Sequence, residues 1–341
     1  MSTLLGAASA LRAAATATVE YDDVKRAVVT GAGLVGTHVA AAFAQAGVDV
    51  TLADVNPDDR YVERVAGSEV LVVRCDVADT GQIQRLFAQR TPDVVVHAAG
   101  MVGAAAQREP FRAYRENAYA TACVADGARR AGIRRVCLVS SLAVYGRRLA
   151  RTAPALAEST VPRPATAYGR TKLAGELALA AVGADLEVVV LRPSGIFGEL
   201  PATRGGVAAG VVARAVRRAL AGSQRVVLEA GLAGTEMLYA PDVGTAAWLA
   251  ATSRRAAGHV YNVGTGHVAS SDALRAAFTR AFGVELIVDG ATTQAPLNVK
   301  AAASDLGFEA RWDLAAALHD LGLRLDRPAT TVAATVQGRL T

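Results

Sequence analysis

Continuous apolar runs alternate with amphipathic segments along most of the chain, and this pattern predicts strands separated by helices. Runs without polar alternation are typical of parallel strands that are buried on both faces. The predicted strands are RAVVT (26–30), VDVTLA (48–53), EVLVVR (69–74), DVVVHAAG (93–100), RVCLVSS (135–141) and LEVVVLR (186–192). Helical spacing follows most of them, as in the segment from about 110 to 131. The alternation predicts an α/β fold with a doubly wound parallel sheet.

The regular alternation ends at Pro193, and the elements that follow are shorter and separated by glycine-rich loops. We therefore expect a smaller C-terminal α/β lobe that binds the substrate, part of which returns to the first sheet. The predicted division is a flexible extension (1–24), a nucleotide-binding domain (25–193), the substrate lobe (194–325, with about 236–263 returning to the first sheet) and a tail (326–341).

A glycine-rich turn joins the first predicted strand to the first helix. Gly31 permits a tight turn, Gly33 lets the backbone approach a pyrophosphate, and Gly36 allows close packing of helix and strand. Leu34 and Val35 complete the turn, whose amides lead into a helix N-terminus suited to phosphate. This strand, turn and helix predict a dinucleotide-binding Rossmann domain.

An acidic residue at the end of the second strand indicates which dinucleotide binds. Asp54 lies 18 residues after Gly36, where a Rossmann unit places the carboxylate that binds a ribose 2′-hydroxyl. Val55 and Asn56 follow it, and no arginine is adjacent, so NAD is favoured over NADP. Arg60 leaves NADP open.

Several small or polar residues fall at the carboxyl ends of the predicted strands, where ligands bind in open parallel sheets. Besides Gly31 and Asp54, these candidate cofactor and site residues are Asp76, Val77, Ala98, Ala99, Gly100, Ser141 and Pro193. Their coincidence at one edge of the sheet supports a dinucleotide site more strongly than any single motif does.

Tyr168 and Lys172 are four residues apart in the predicted helix ATAYGRTKLAGELALAAV (165–182), so both lie on one helical face. A nearby cation favours the phenolate and lowers the pKa of a tyrosine, and a shift of about three units, roughly 4 kcal/mol, would make it a base at neutral pH. A solvated helix pair has the same spacing. Only three lysines occur, at 25, 172 and 300, among 36 basic residues.

Composition excludes several other classes of function. The net charge of +5 comes from scattered arginines without a long basic run, and aromatic residues make up 5%, so nucleic-acid binding is not expected and an anionic small molecule fits better. The three isolated cysteines show neither metal spacing nor a disulfide framework and suggest the cytoplasm. We expect no metal site and no membrane span.

Two further motifs support a resemblance to a known family. The segments SSLAVYG (140–146) and PATAYGRTK (164–172), with the glycine turn, HAAG (97–100) and YNVGTG (261–266), resemble the extended short-chain dehydrogenases, the NAD-dependent epimerase/dehydratase group. The similarity runs from about Arg26 to Gly322.

The resemblance implies roles for individual residues. Tyr168 would be the general acid or base on a substrate hydroxyl, and Lys172 would lower its pKa and hold the nicotinamide ribose. Ser141 would bind the same substrate oxygen, Asn117 would order the site, and the family often forms homodimers through the helix of Tyr168 and its neighbour. Gly169 and Gly175 would allow close helix packing, either between subunits or within the monomer.

Departures from the family pattern concern the substrate. Leu142 and Ala143 replace the acidic pair of the dehydratases, which argues against water elimination. In LRPSGIFG (191–198), Gly195 occupies the place of an asparagine that contacts a nucleotide-sugar pyrophosphate, and Thr235 replaces an expected arginine. Ser194 and Gly195 are the candidate substrate residues.

These observations lead to three hypotheses for the function. We expect an NAD-dependent oxidoreductase that acts on a secondary hydroxyl of a sugar-like or acid-bearing molecule. A nucleotide-sugar epimerase is the alternative, and a non-catalytic NAD-binding scaffold is the third hypothesis.

Overall fold

Strands and helices alternate along the chain in the computed structural model, which describes residues 20–146, 154–182, 185–201, 207–228, 232–290 and 294–326. The strands are β1 (Arg26–Thr30), β2 (Asp49–Asp54), β3 (Leu71–Arg74), β4 (Val94–His97), β5 (Arg135–Val139), β6 (Glu187–Pro193), β7 (Gly195–Phe197), β8 (Arg225–Leu228), β9 (Met237–Tyr239), β10 (Val260–Val263) and β11 (Glu285–Val288). The α-helices are α1 (Leu34–Gln45), α2 (Asp59–Ala66), α3 (Thr80–Arg90), α4 (Gly103–Arg108), α5 (Pro110–Tyr114), α6 (Ala120–Arg130), α7 (Ala167–Val182), α8 (Val207–Leu220), α9 (Ala240–Thr252), α10 (Ser271–Phe282), α11 (Lys300–Leu306) and α12 (Leu314–Leu325).

The central sheet has seven parallel strands in the order β10-β6-β5-β4-β1-β2-β3. From β1 the chain adds β2 and β3 on one side, and then crosses to β4, β5 and β6 on the other. The predicted doubly wound sheet is therefore confirmed. Strand β10 is the edge strand beside β6, so the chain returns to the first sheet after the lobe has begun.

Helices cover both faces of the sheet, which explains the continuous apolar strands. On one face, Val39 and Phe43 of α1 pack with Val243 and Trp248 of α9. On the other face, α3, α6 and α7 bury a second core that includes Leu179. The lobe has its own core between α8, α10, α12 and the parallel pair β8 and β11. None of the helices in the described ranges is long and apolar enough to cross a membrane.

The predicted helix from 110 to 131 is not a single α-helix. It comprises α5, a π-helix at Arg115–Tyr119 and α6, and it is preceded by the short helix α4. The π-helical turn contains the buried Asn117, whose polar contacts are described below. Helical periodicity in the sequence does not reveal a wider turn of this kind, because its side chains keep nearly the same spacing.

Part of the predicted N-terminal extension packs on the domain. Residues 1–19 lie outside the described residues, as do 327–341 of the predicted tail. Tyr21 stacks on Trp248 with ring centroids 6.0 Å apart and donates to the Leu306 carbonyl at 2.9 Å. The amide of Asp22 donates to the carbonyl of Thr252 at 2.7 Å. Residues 20–24 are therefore held by aromatic and backbone contacts that the local sequence does not indicate.

The start of the lobe is tied to the nucleotide-binding domain through Glu199. The Tyr61 hydroxyl donates to the Glu199 carbonyl at 2.7 Å, and Arg64 Nε donates to the Glu199 carboxylate at 2.8 Å. On the lobe side, the Tyr239 hydroxyl donates to Asp320 at 2.6 Å. Helix α2 is thus fastened to the segment that leaves β7.

Two buried histidines make the fold sensitive to acid. Burial lowers the pKa of His38 and of His97 to about 3, so both remain neutral in the folded protein while the unfolded chain takes up protons below its ordinary pKa of 6.5. The stabilisation from each histidine is therefore fully present above about pH 6.5 and is lost as the pH falls.

Between pH 7.5 and 5.0 we expect the free energy of unfolding in urea to fall by about 2 kcal/mol for each histidine. His97→Asn should remove about half of the loss and the exposed His319→Asn none; an unchanged loss in His97→Asn would contradict this account.

Candidate active site

The strand order reverses between β1 and β4, and their carboxyl ends meet there in close contact. Gly31 follows β1 with φ +90°, and a Cβ on it would lie 2.6 Å from Ala99 Cα. The amide of Ala98 donates to the Thr30 carbonyl at 3.0 Å. Only a glycine allows this approach, so the crevice in which open sheets bind ligands is built on Gly31 and the segment Ala98–Gly100.

The glycine turn leaves room in front of helix α1. Gly33 is its N-cap and has no side chain to cap it, and a Cβ there would meet no atom within 4 Å. By contrast, a Cβ on Gly36 would lie 1.9 Å from the Gly31 carbonyl oxygen. Space beside a helix N-terminus that has no side-chain cap suits a phosphate group. Leu34 and Val35 form the first residues of this helix.

Asp54 ends β2 beside the glycine turn. Its carboxylate accepts from the Ala32 amide at 2.8 Å and from the Asn56 amide at 2.7 Å. The side chain therefore braces the turn, and its predicted contact with a ribose stays a prediction.

The end of β3 contributes a second carboxylate to this side of the crevice. Asp76 lies beside Val77 and accepts from Arg115 at 2.9 Å and from the Ala78 amide at 2.9 Å. Partial burial opposes ionisation, but the hydrogen bonds from Arg115 and the Ala78 amide, together with the charge of Arg115, outweigh it and hold the pKa of Asp76 below its usual value. The carboxylate therefore stays ionised, and its predicted contact with the cofactor remains untested.

Tyr168 and Ser141 come together at the carboxyl edge of the sheet. Tyr168 lies in the first turn of α7 and is packed against Met101 and Ala106, while Ser141 follows β5. Their side chains are close enough for Ser141 to affect the pKa of the phenol, and Ser141 Oγ accepts from the Ala143 amide at 3.1 Å. The two side chains that the resemblance assigned to one substrate oxygen are therefore adjacent.

Lys172 lies one turn beyond Tyr168 and is only 5% exposed. Its Nζ donates to the Val139 carbonyl at the end of β5 at 2.9 Å. Burial lowers its pKa to about 8, although the charge of Glu176 opposes that effect. A Cβ on Gly100 would lie 3.5 Å from Nζ, an ordinary contact, but only 2.4 Å from Asn117 Oδ1, so this glycine makes room for Asn117.

The predicted lowering of the tyrosine pKa is wrong for this structure. Burial raises the pKa of Tyr168, and the hydrogen bond with Ser141 only partly offsets the rise. Lys172 Nζ is directed at a backbone carbonyl, and its charge is not among the causes of the shift. Spacing places the ammonium and the phenol on one helical face, but it does not determine which acceptor the ammonium takes.

Asn117 joins the segment after β4 to α7. Its Oδ1 accepts from the Met101 amide at 2.8 Å, and its Nδ2 donates to the Met101 carbonyl at 2.9 Å and to Thr171 Oγ1 at 2.8 Å. The carbonyl of Asn117 lies 2.5 Å from where a Cβ on Gly175 would be. Asn117 thus positions the helix that carries Tyr168, and it makes these contacts from a π-helical turn.

Four buried residues behind the site were missed as a group. Glu176 and Arg192 form an ion pair at 2.6 Å, Arg192 donates to the Tyr145 hydroxyl at 3.1 Å, and Tyr145 donates to Asn262 Oδ1 at 2.7 Å. The spacing of four residues between Lys172 and Glu176 indicates that Glu176 lies on the same helical face as the site. The long-range partners on β6 and β10 have no signal in the local sequence.

The candidate substrate residues follow β6. Ser194 is buried, its amide donates to the Val263 carbonyl at 2.9 Å, and its hydroxyl has no hydrogen-bond partner among the described residues. The Gly195 amide donates to the Glu236 carbonyl at 3.1 Å, and a Cβ on Gly195 would lie 2.8 Å from that oxygen. Thr235 Oγ1 donates to the Leu232 carbonyl at 2.6 Å. Asparagine does not fit at 195 without a shift of β9, and Thr235 is held within its own turn.

Comparison with known proteins identifies the family. The model of the NAD dependent epimerase/dehydratase family matches residues 27–264. The chain belongs to this family. The resemblance seen in the sequence is thereby confirmed, and so is the expectation of an enzyme.

Named relatives in the family share the fold and part of the length. The chain is 32% identical over 197 residues to UDP-glucose 4-epimerase of Azospirillum brasilense, which covers 56% of this chain and 55% of the relative. The chain therefore spans about half the length of the curated relatives it matches. A crystal structure of UDP-glucose-4-epimerase from Stenotrophomonas maltophila with NAD and formylated UDP-arabinopyranose superimposes with a TM-score of 0.76 at 24% identity, over 88% of this chain and 98% of that one. MoeE5 in complex with UDP-glucuronic acid and NAD gives a TM-score of 0.72 at 25% identity, over the same shares.

The residues of the crevice fit the cofactor that gives the family its name. The space before α1 at Gly33 accepts a pyrophosphate, and the buried carboxylate of Asp54 lies beside it. NAD, the predicted cofactor, is confirmed at the level of the family. In the described part of the chain, no group of three or more histidine, cysteine, aspartate or glutamate side chains could hold a metal ion.

Substitutions at the glycine turn should separate cofactor binding from folding. Gly33→Val adds a side chain that meets no protein atom but fills the space before α1, so we expect NAD affinity to fall at least about tenfold, or 1.4 kcal/mol, with an unchanged melting temperature. Gly36→Ala forces its Cβ onto the Gly31 carbonyl and should lower the melting temperature itself. Calorimetric titration with NAD and thermal unfolding measure the two effects. Full NAD affinity in Gly33→Val would show that the pyrophosphate lies elsewhere.

Proposed function

We propose that the chain is an NAD-dependent epimerase that acts on a secondary hydroxyl of a nucleotide-activated sugar. The observation that carries the proposal is the proximity of the Tyr168 and Ser141 side chains, with Lys172 buried one helical turn away beside the dinucleotide crevice. An acid or base beside a crevice for a redox cofactor is the arrangement that alcohol oxidation needs. The intact set also argues against a non-catalytic scaffold.

The chemistry assigns one task to each side chain. Ser141 holds the substrate oxygen, and Tyr168 accepts the proton of the hydroxyl as the alcohol becomes a ketone. Bound NAD supplies the acceptor for the hydride that leaves the same carbon. Lys172 would hold the nicotinamide ribose, and Asn117 holds α7 in place. For epimerisation, the ketone would turn over in the site, Tyr168 would return the proton to its oxygen, and the hydride would return from the reduced cofactor to the other face of the same carbon.

The named relatives support an epimerase over a simple dehydrogenase. The curated relatives reported above are UDP-glucose 4-epimerases, and the structural neighbours bind UDP-sugars. A UDP-sugar is anionic, which agrees with the net charge of +5. We therefore place UDP-linked sugars first among candidate substrates.

A second candidate is an NAD-dependent dehydrogenase of a smaller substrate without a nucleotide. It is favoured by the contacts of Gly195 and Thr235, which leave neither position able to offer the asparagine or arginine contact to a pyrophosphate. A sugar or sugar acid would not need those contacts. The two candidates share every catalytic residue, so substrate and cofactor measurements must separate them.

The first measurement is of nucleotide released from the purified protein by denaturation and quantified by chromatography. An epimerase returns its hydride in each cycle and should hold NAD in near-stoichiometric amount. Incubation with UDP-galactose should then give UDP-glucose without net NADH. An empty protein that binds NAD reversibly and forms NADH with sugar acids or polyols would instead favour the dehydrogenase.

Replacing Tyr168 by phenylalanine tests the acid and base role. We expect turnover to fall by at least about 100-fold, because general acid–base catalysis contributes that much or more, while NAD affinity changes only a few-fold. The matched control is Tyr114→Phe, on an exposed residue. A fully active Tyr168→Phe protein would contradict the proposed mechanism.

We further propose a homodimer formed by α5, α7 and the π-helix between α5 and α6. Phe111 is 86% exposed and Leu177 is 63% exposed, and Tyr114 and Tyr119 are also exposed on the same group of helices. Gly169 and Gly175 do not serve this contact. A Cβ on either would lie 2.5 Å from a carbonyl oxygen of the same chain, so these glycines allow close packing within the monomer.

A charge on the exposed apolar face should separate the subunits. We expect Phe111→Glu with Leu177→Glu to give a monomer in light scattering at concentrations where the parent is a dimer, with little change in melting temperature. Val161→Glu, another exposed apolar residue, is the control. A parent chain that is already monomeric would refute the dimer.

We also propose a cytoplasmic location. Cys75, Cys123 and Cys137 are buried free thiols. Burial raises the pKa of Cys75 to about 11 and of Cys137 to about 12, so these thiols are unreactive. A chain with buried, unpaired cysteines is typical of a reducing compartment.

A further inference from the structure

A buried carboxylate on α7 connects the elements that carry the catalytic side chains. Glu176 is 7% exposed and lies one turn beyond Lys172. Its Oε1 accepts from the hydroxyl of Ser140 and from Arg192 Nε at 3.1 Å, and its Oε2 accepts from a terminal nitrogen of Arg192 at 2.6 Å. One side chain of α7 therefore binds both the end of β5 and strand β6.

These contacts hold the turn of Ser141 at both ends. Ser140 immediately precedes Ser141 and is bound by Glu176. Tyr145 follows the short 3₁₀ helix that Ser141 begins, and its hydroxyl accepts from Arg192 at 3.1 Å while its ring lies 5.0 Å from the guanidinium carbon. The Glu176–Arg192 pair thus sets the position of the Ser141 turn relative to α7, which carries Tyr168.

The charges around Lys172 are few and can be named. On α7 it has Tyr168 and Glu176. From β4 it faces His97, whose pKa burial lowers to about 3 so that the ring is neutral, and from β6 the nearest ionised group is Arg192, which is paired with Glu176. On β5 its hydrogen-bond acceptor is the Val139 carbonyl. Glu176 is the one acidic side chain that raises the pKa of the ammonium against the effect of burial.

We propose that Glu176 is a positioning residue of the active site: held by Arg192 and Ser140, its carboxylate keeps Lys172 protonated and fixes the Ser141 turn against α7. Only the effect of Glu176 on catalysis depends on the proposed function. The state of Lys172 itself can be measured without any substrate.

Removing the charge of Glu176 should make Lys172 lose its proton at lower pH. In Glu176→Gln the side chain keeps its shape, but the ammonium loses its favourable partner and faces the unpaired guanidinium of Arg192. Both changes disfavour the charged lysine, as burial already does.

The composition of the chain makes this titration simple to observe. The chain has only three lysines, so protein labelled with ¹³C-lysine gives three Cε signals, which Lys25→Arg and Lys300→Arg assign. We expect the Lys172 signal to titrate near pH 8 in the parent and at least about one pH unit lower in Glu176→Gln. The exposed Lys25 and Lys300 are internal controls and should not move.

A matched control removes a carboxylate from a different buried arginine. Glu187 pairs with the buried Arg135 at the amino edge of the sheet, far from the site, and Arg135 keeps a second carboxylate, Asp22, at 3.3 Å. Glu187→Gln should lower stability, as Glu176→Gln does, without moving the titration of Lys172. Glu176→Asp, which keeps the charge, should restore most of the parent midpoint.

The proposal is overturned if Lys172 titrates at the same pH in the parent and in Glu176→Gln. Should Glu176→Gln fail to fold, the double variant Glu176→Leu with Arg192→Met replaces the pair by apolar side chains of similar volume, which a core tolerates better than a broken pair. The midpoint of the double variant is compared with that of Arg192→Met alone, so that only the carboxylate differs: a lower midpoint in the double variant supports the role, and an equal one refutes it. If UDP-galactose is not converted but the Lys172 midpoint still falls, the proposed substrate fails and the role of Glu176 is retained.

Discussion

The site depends on keeping one ammonium group charged out of water. Transferring an isolated charge from water into a protein interior costs several kcal/mol unless polar partners replace the water. Lys172 obtains these partners from two directions, since the Val139 carbonyl accepts from it and the carboxylate of Glu176 lies one turn away. The end of β5 and the face of α7 are thus arranged around this one charge.

The sequence predicts most of the fold because its signals are local. Apolar runs such as DVVVHAAG identify strands that are buried on both faces, and the turn Gly31–Gly36 identifies the first crossover. The short pair β8 and β11 belongs to the lobe and was not predicted, because four residues with mixed polarity give little periodicity. The order of strands is constrained by the rule that parallel crossovers share one hand.

The structure brings the predicted catalytic residues together, but their electrostatics differ from those predicted. Tyr168, Lys172 and Ser141 lie together, as their motifs and positions at strand ends imply. Their electrostatics depend on which groups meet across the sheet, and neither Arg192 nor the carbonyl of Val139 can be assigned to the site from spacing along the chain. Short motifs identify the residues of the site. Contacts between residues that are distant in the sequence determine the charge states of those residues.

The attachment of Glu199 to α2 limits how the crevice can open. Tyr61 and Arg64 hold the backbone carbonyl and the carboxylate of this residue just as the chain leaves β7 for the lobe. A rotation of the whole lobe away from the nucleotide-binding domain would break both hydrogen bonds and leave a buried carboxylate without its cation. The junction at Glu199 therefore resists such a rotation. Local rearrangements of side chains and loops would admit and release ligands at the crevice while leaving both hydrogen bonds intact.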